Sequence, residues 1–267
     1  MIRTLPKPLP RKFYTAKPER LPKEKPMTLI AGFRCGDGSV LLCADRERSD
    51  QFGKRSIEKL FRISTNQGSF LIAGAGRGSI VDNALMRLDA ALKTAGADPN
   101  IVLFEKHKDV IETILHEIHE EYIWGHRDET NRAVQFIITA AFRSPHSTPF
   151  LYRTDEEIVF PQQLYCCGGA GQDLAYYFAD KLYNDHLSRQ GAALIAAFIF
   201  REASKSVSSV GLGTDLWLLA AKDQGWYRIP PTKVQEIEAI IPDIGNAIAD
   251  AWNGKITIPK WLSDLFT

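Results

Sequence analysis

The sequence predicts an α+β chain folded as a four-layer αββα sandwich, and three observations carry that prediction. β-prone stretches arrive in blocks, separated by turns that carry glycine or asparagine. Apolar residues at helical spacing arrive between those blocks as consecutive pairs of helices. The resulting order is strands, two helices, strands, two helices, strands. Sheets with one apolar face each must pack on something, and paired helices are best placed on the outer faces of two stacked antiparallel sheets.

The first block is two hairpins. Thr28-Leu29-Ile30-Ala31-Gly32-Phe33-Arg34-Cys35 breaks at Gly36-Asp37-Gly38 and returns as Ser39-Val40-Leu41-Leu42-Cys43-Ala44-Asp45. Lys59-Leu60-Phe61-Arg62-Ile63, a turn at Asn66-Gln67-Gly68, and Phe70-Leu71-Ile72-Ala73-Gly74-Ala75-Gly76 repeat the pattern. A helix follows over Ser79–Leu92, and a longer one from about Pro99 to Trp124, with Ile101, Val110, Ile114, Leu115, Ile118 and Tyr122 on its buried face. Strands return over Ala133–Phe142, Pro149–Tyr152, Glu157–Phe160 and Leu164–Cys167, the last running into Gly168-Gly169-Ala170-Gly171. Helices over Asp173–His186 and Ala192–Lys205 precede a final hairpin, Asp215–Lys222 with Gly225–Ile229, and Thr232–Trp252 reads as mostly helical.

At 267 residues and 45% hydrophobic, the chain can bury a substantial core as one domain, expected over 28–267. Residues 1–27 are rich in proline, lysine and arginine, and are expected to be a disordered extension or propeptide, since they cannot bury enough apolar surface to fold. A formal net charge of +1 gives no global field to attract nucleic acid or a membrane surface. No apolar run has the length of a membrane helix, and no secretory signal core is seen. Four cysteines without a CxxC pair suggest neither a disulfide framework nor zinc, so a cytoplasmic location is expected. His116 and His119 share a helix face but lack the HExxH spacing, and are expected on a solvated polar face. Gly74-Ala75-Gly76-Arg77-Gly78 lacks the lysine of a phosphate-binding loop. Neither a metal nor a cofactor is expected.

The residues Thr28-Leu29-Ile30-Ala31-Gly32, Asp37-Gly38, Ala44-Asp45-Arg46, Lys59-Leu60-Phe61-Arg62-Ile63 and Ile72-Ala73-Gly74-Ala75-Gly76 form an ordered set. This set resembles the proteasome β-subunit family of N-terminal-nucleophile hydrolases. The spacing from Thr28 to Asp45 is one residue longer than the family's, which predicts a bulge between Ser39 and Cys43.

A threonine hydroxyl needs a base to act as a nucleophile near neutral pH, and an N-terminal residue brings its own α-amine. The resemblance implies that Thr28 is the nucleophile, that the Lys59 ammonium depresses the pKa of the amine, that Asp45 keeps Lys59 charged, and that the Gly74 N–H stabilises an oxyanion. Taken singly, Thr28 reads as a strand residue, Asp45 as a turn cap, Lys59 as a surface charge beside Glu58 and Gly74 as part of a tight turn. The chain departs from the family at Ala170, where a serine is usual, and in Ser206–Gly211, where an aspartate is missing.

The implied function is a threonine-dependent peptidase or amidohydrolase; the alternative is a catalytically silent, structural ring subunit. The partners implied are copies of the chain in stacked rings, a peptide or unfolded-protein substrate and an ATP-dependent unfoldase. Met27 before Thr28 suggests a start site there, with removal of the methionine exposing Thr28.

Overall fold

The computed structural model describes residues 28–50, 53–56, 58–97, 104–126, 134–142, 148–221 and 225–252. The expected extension 1–27 and the expected core residue Ile101 lie outside them. In chain order the strands are β1 (Leu29–Arg34), β2 (Val40–Asp45), β3 (Glu47–Asp50), β4 (Gly53–Ser56), β5 (Leu60–Ser64), β6 (Gly68–Gly76), β7 (Val134–Phe142), β8 (Phe150–Asp155), β9 (Ile158–Pro161), β10 (Tyr165–Gly169), β11 (Thr214–Leu219) and β12 (Trp226–Arg228). The helices are α1 (Gly78–Ala95), α2 (Phe104–Tyr122), α3 (Gln172–Leu182), α4 (Arg189–Ser206) and α5 (Pro231–Trp252).

Two antiparallel five-stranded sheets result, one in the order β10-β1-β2-β11-β12 and the other in the order β5-β6-β7-β8-β9. The pleat of the strands then sorts side chains into three apolar layers, because successive residues point to opposite faces. Ile30, Val40, Leu42, Ala44, Leu71, Ala73, Ile137 and Cys166 fill the space between the sheets. Leu29, Ala31, Phe33, Leu41 and Cys43 face the other way, onto α3 and α4. Phe70, Ile72, Phe136 and Ile138 face α1 and α2. This is the expected αββα sandwich. The alanines of α4, at 192, 193, 196 and 203, are buried and let that helix lie close on its sheet.

Several expectations change in detail. The predicted bulge is absent: β1 and β2 pair without interruption from Arg34↔Val40 to Ile30↔Ala44, and β11 continues unbroken on the far side of β2. The residues between the strands form the loop Cys35–Ser39, closed by Cys35 N–H on the Ser39 carbonyl and turned at Gly38, whose φ is +83°. The hairpin β3–β4 was not foreseen. In α2 the fully buried face is Ile111, Leu115 and Ile118, with Val110, Ile114 and Tyr122 at its margins.

His119 is not on a solvated face. It is buried, with Nδ1 2.8 Å from the Leu115 carbonyl and its ring beside Trp124, whereas His116 is exposed and pairs with Glu157. The edge strand β9 is closed by α2: the N–H of Val159 donates to Glu112 Oε1 at 2.8 Å. All four cysteines are buried and unpaired, and burial pushes the thiols of Cys35, Cys43, Cys166 and Cys167 up. No helix among the described residues is long and apolar enough to cross a membrane.

The layer between the sheets is one of three buried apolar layers. Leu71 is fully buried there, so Leu71→Ala is expected to lower the unfolding free energy by about 2–5 kcal/mol in urea titration. Met86→Ala, at a side chain 68% exposed, should stay within about 0.5 kcal/mol of wild type.

Candidate active site

At one end of the sandwich a buried carboxylate gathers donors from distant parts of the chain. Asp45 is the last residue of β2 and has no exposure to solvent. Its Oδ1 accepts the N–H of Leu29 at 2.8 Å. Its Oδ2 accepts Lys59 Nζ at 2.8 Å and the N–H of Gly211 at 3.0 Å. Lys59 is only 5% exposed and stands just before β5, so this ion pair ties one sheet to the other.

Burial raises the carboxyl of Asp45 from its ordinary range, and the Lys59 ammonium and the two N–H groups oppose that rise. Three donors converging on two oxygens is the environment of a carboxylate whose charge is compensated rather than dispersed. Lys59 is therefore not a surface charge beside Glu58. Glu58 pairs instead with Arg228 at 2.5 Å.

Thr28 sits directly behind this carboxylate, because the peptide nitrogen that bonds Asp45 Oδ1 is the one that links Thr28 to Leu29. Its residue is nearly buried, and its carbonyl accepts the N–H of Ala170 at 2.8 Å. The turn that supplies this donor is packed hard against it. Gly169 has φ +83°, and a Cβ on it would collide with the Thr28 carbonyl oxygen and lie 2.8 Å from Ala75 Cβ. The Gly169 N–H in turn donates to Gln135 Oε1 at 2.6 Å.

Gly74 is placed differently from these three. Its N–H faces the Lys59 carbonyl at 3.4 Å, and a Cβ there would meet Val81 Cγ1 at 2.6 Å and the ring of Phe136, on the helix side of the sheet. The glycine at the exit of β6 is Gly76, with φ +131°, one residue beyond the Ala75 that packs toward Gly169. The sequence run Gly74-Ala75-Gly76 holds both glycines, but nothing in it says where the strand ends.

The late turn also reaches the site. Gly211 donates to Asp45, the Gly213 carbonyl accepts the N–H of Arg46 at 3.0 Å, and Leu212 between them points outward. Sequence reasoning sought a carboxylate there and missed the backbone donor.

No protein-family model and no curated protein matches the sequence. Solved structures do. The fold is similar to that of Anbu. A Gly-1 mutant of Anbu from Hyphomicrobium sp. strain MC1 superposes with a TM-score of 0.69 at 15% identity, over 86% of this chain and 98% of that one. The helical assembly of the Anbu complex from Pseudomonas aeruginosa gives 0.68 at 14%, over 87% and 98%. Anbu from Yersinia bercovieri, described as an ancestral beta-subunit, gives 0.68 at 12%, over 87% and 99%. The expected membership of the proteasome β-subunit family is thereby corrected: no family model supports it, and the structural likeness is to Anbu. The residues behind that expectation are few and spaced by the fold, and at such identity the likeness to Anbu is one of fold.

Removing one partner of a buried pair leaves the other as an uncompensated charge. Asp45→Asn and Lys59→Met are each expected to lower the unfolding free energy by about 3–5 kcal/mol, and the double substitution by less than their sum, in a double-mutant cycle read by urea denaturation.

Proposed function

We propose that the chain is a threonine-dependent amidohydrolase or peptidase whose nucleophile is Thr28 acting as the N-terminal residue. The observation that carries this reading is the buried Asp45 carboxylate, which holds the Lys59 ammonium at 2.8 Å and the peptide nitrogen next to Thr28 at 2.8 Å. An ammonium fixed beside an α-amine disfavours the protonated amine and so lowers its pKa from an ordinary value of about 7.7–8.0. The neutral amine then takes the hydroxyl proton of Thr28 as the oxygen attacks a substrate carbonyl. The leaving amine receives that proton, an acyl-threonine ester remains, and water hydrolyses it to regenerate the hydroxyl.

The base exists only when Thr28 is the first residue, because an amide nitrogen does not accept protons. Removal of Met27 from a chain begun there supplies it. Ala170 and the absence of a carboxylate in Ser206–Gly211 favour a second reading, a catalytically silent subunit. Under either reading we propose that the chain self-associates, since the Anbu complex of Pseudomonas aeruginosa is described as a helical assembly.

Three variants separate the readings. In protein beginning at Thr28, Thr28→Ala should reduce amide hydrolysis by at least roughly a thousandfold and Thr28→Ser should retain a measurable rate. Lys59→Arg keeps the charge but not the compact ammonium, and should lose activity while remaining folded. Protein that retains residues 1–27 should be inactive, and N-terminal sequencing of native material should return Thr28 first. Hydrolysis unaffected by Thr28→Ala overturns the nucleophile, and no hydrolysis at all leaves the silent subunit.

Self-association has its own measurement. Sedimentation at micromolar concentration should return a particle of many subunits; a monomer contradicts it.

A further inference from the structure

The turn that embraces Thr28 is held from its other side by a residue no motif singled out. On β7, alternation places Val134, Phe136 and Ile138 toward the helices and Ile137 toward the other sheet, so Gln135 stands in the space between the sheets. It pairs with Ala75 on β6, one residue short of that strand's end. In the other sheet, Leu29 and Gly169 stand opposite each other while Ala170 donates to the Thr28 carbonyl. Antiparallel pairs alternate, so the N–H of Gly169 points away from β1, off the open edge that β10 forms. Gln135 Oε1 meets that N–H at 2.6 Å and would lie 3.3 Å from a Cβ on Gly168. The amide thus crosses from one sheet to the other and satisfies a backbone donor that no strand can reach.

We propose that Gln135 is a positioning residue for Thr28: it fixes the Gly168–Gly171 turn, and through the Ala170 N–H it fixes the backbone that carries the nucleophile and its amine. The proposal rests on Thr28 as the nucleophile. Ala170 has no hydroxyl, so the turn holds Thr28 through its backbone alone, and any drift of the turn is passed directly to Thr28. A glutamine suits this post because its amide oxygen accepts the Gly169 N–H without bringing a charge into the space between the sheets.

The test uses protein running from Thr28 to Thr267, with Gln135→Leu and Gln135→Glu compared with wild type. Leucine removes the acceptor, so kcat should fall roughly tenfold to hundredfold with KM little changed. Glutamate keeps the acceptor and should restore most of kcat at high pH. Its added charge favours the protonated amine, so the acid limb of the pH profile should move up rather than down. The α-amine is also titrated directly, by the pH dependence of its acylation read by mass spectrometry, which needs no hydrolysis. That titration should rise in Gln135→Glu. Wild-type kcat in Gln135→Leu overturns the proposal. If wild type hydrolyses nothing, the nucleophile fails on its own account, and unchanged hydrogen exchange at the Gly169 and Ala170 amides in Gln135→Leu overturns the positioning.

Discussion

A carboxylate sealed from water must be met by donors, and the fold is arranged so that Asp45 is met three times. The strand beside it gives the Leu29 N–H, the turn entering β11 gives the Gly211 N–H, and the opposite sheet gives the Lys59 ammonium. Apolar layers are tolerant of small slips, since one methyl contact replaces another, but hydrogen bonds to a buried charge are not. The alignment of the two sheets at this end is therefore set by polar geometry, while Leu71, Ile137 and their neighbours supply most of the adhesion. Exchange of Asp45 or Lys59 disturbs the packing of the sheets as well as the chemistry proposed for them.

The architecture was legible because it depends on period and order. The continuous apolar runs within Leu29–Arg34 and Val40–Asp45, buried on both faces, the glycine turns, and the paired helical stretches survive any exchange of one apolar residue for another. The same insensitivity explains how a chain 12–15% identical to Anbu keeps a fold similar to it. Asp45 and Lys59 were legible as a pair only through an ordered set of residues, because adjacency in sequence pointed Lys59 toward Glu58, and burial decided for Asp45.

What stayed hidden were contacts that carry no side-chain signature. Every residue but proline has an N–H, so the donors of Gly211 and Ala170 could not be distinguished from any others before the turns were in place. Gln135 was hidden for a related reason: a polar residue at a strand end looks solvated until the opposite sheet is known. The extra residue before Asp45 suggested a bulge, but a glycine-bearing loop takes up length at lower cost than a broken ladder does. His119 misled because helical spacing relates residues to each other and not to solvent, and Trp124 covers it.

The carboxylate of Glu112 on the Val159 N–H has a consequence for how the chain reaches its native state. An open strand edge is a template for any other extended chain, and the Val159 N–H of β9 belongs to such an edge until Glu112 of α2 accepts it. The lid for that template precedes it in sequence, so α2 leaves the ribosome ahead of β9. Synthesis order thus delivers the protecting helix ahead of the strand it protects, and the sheet never has to wait, sticky side out, for its cover to be translated.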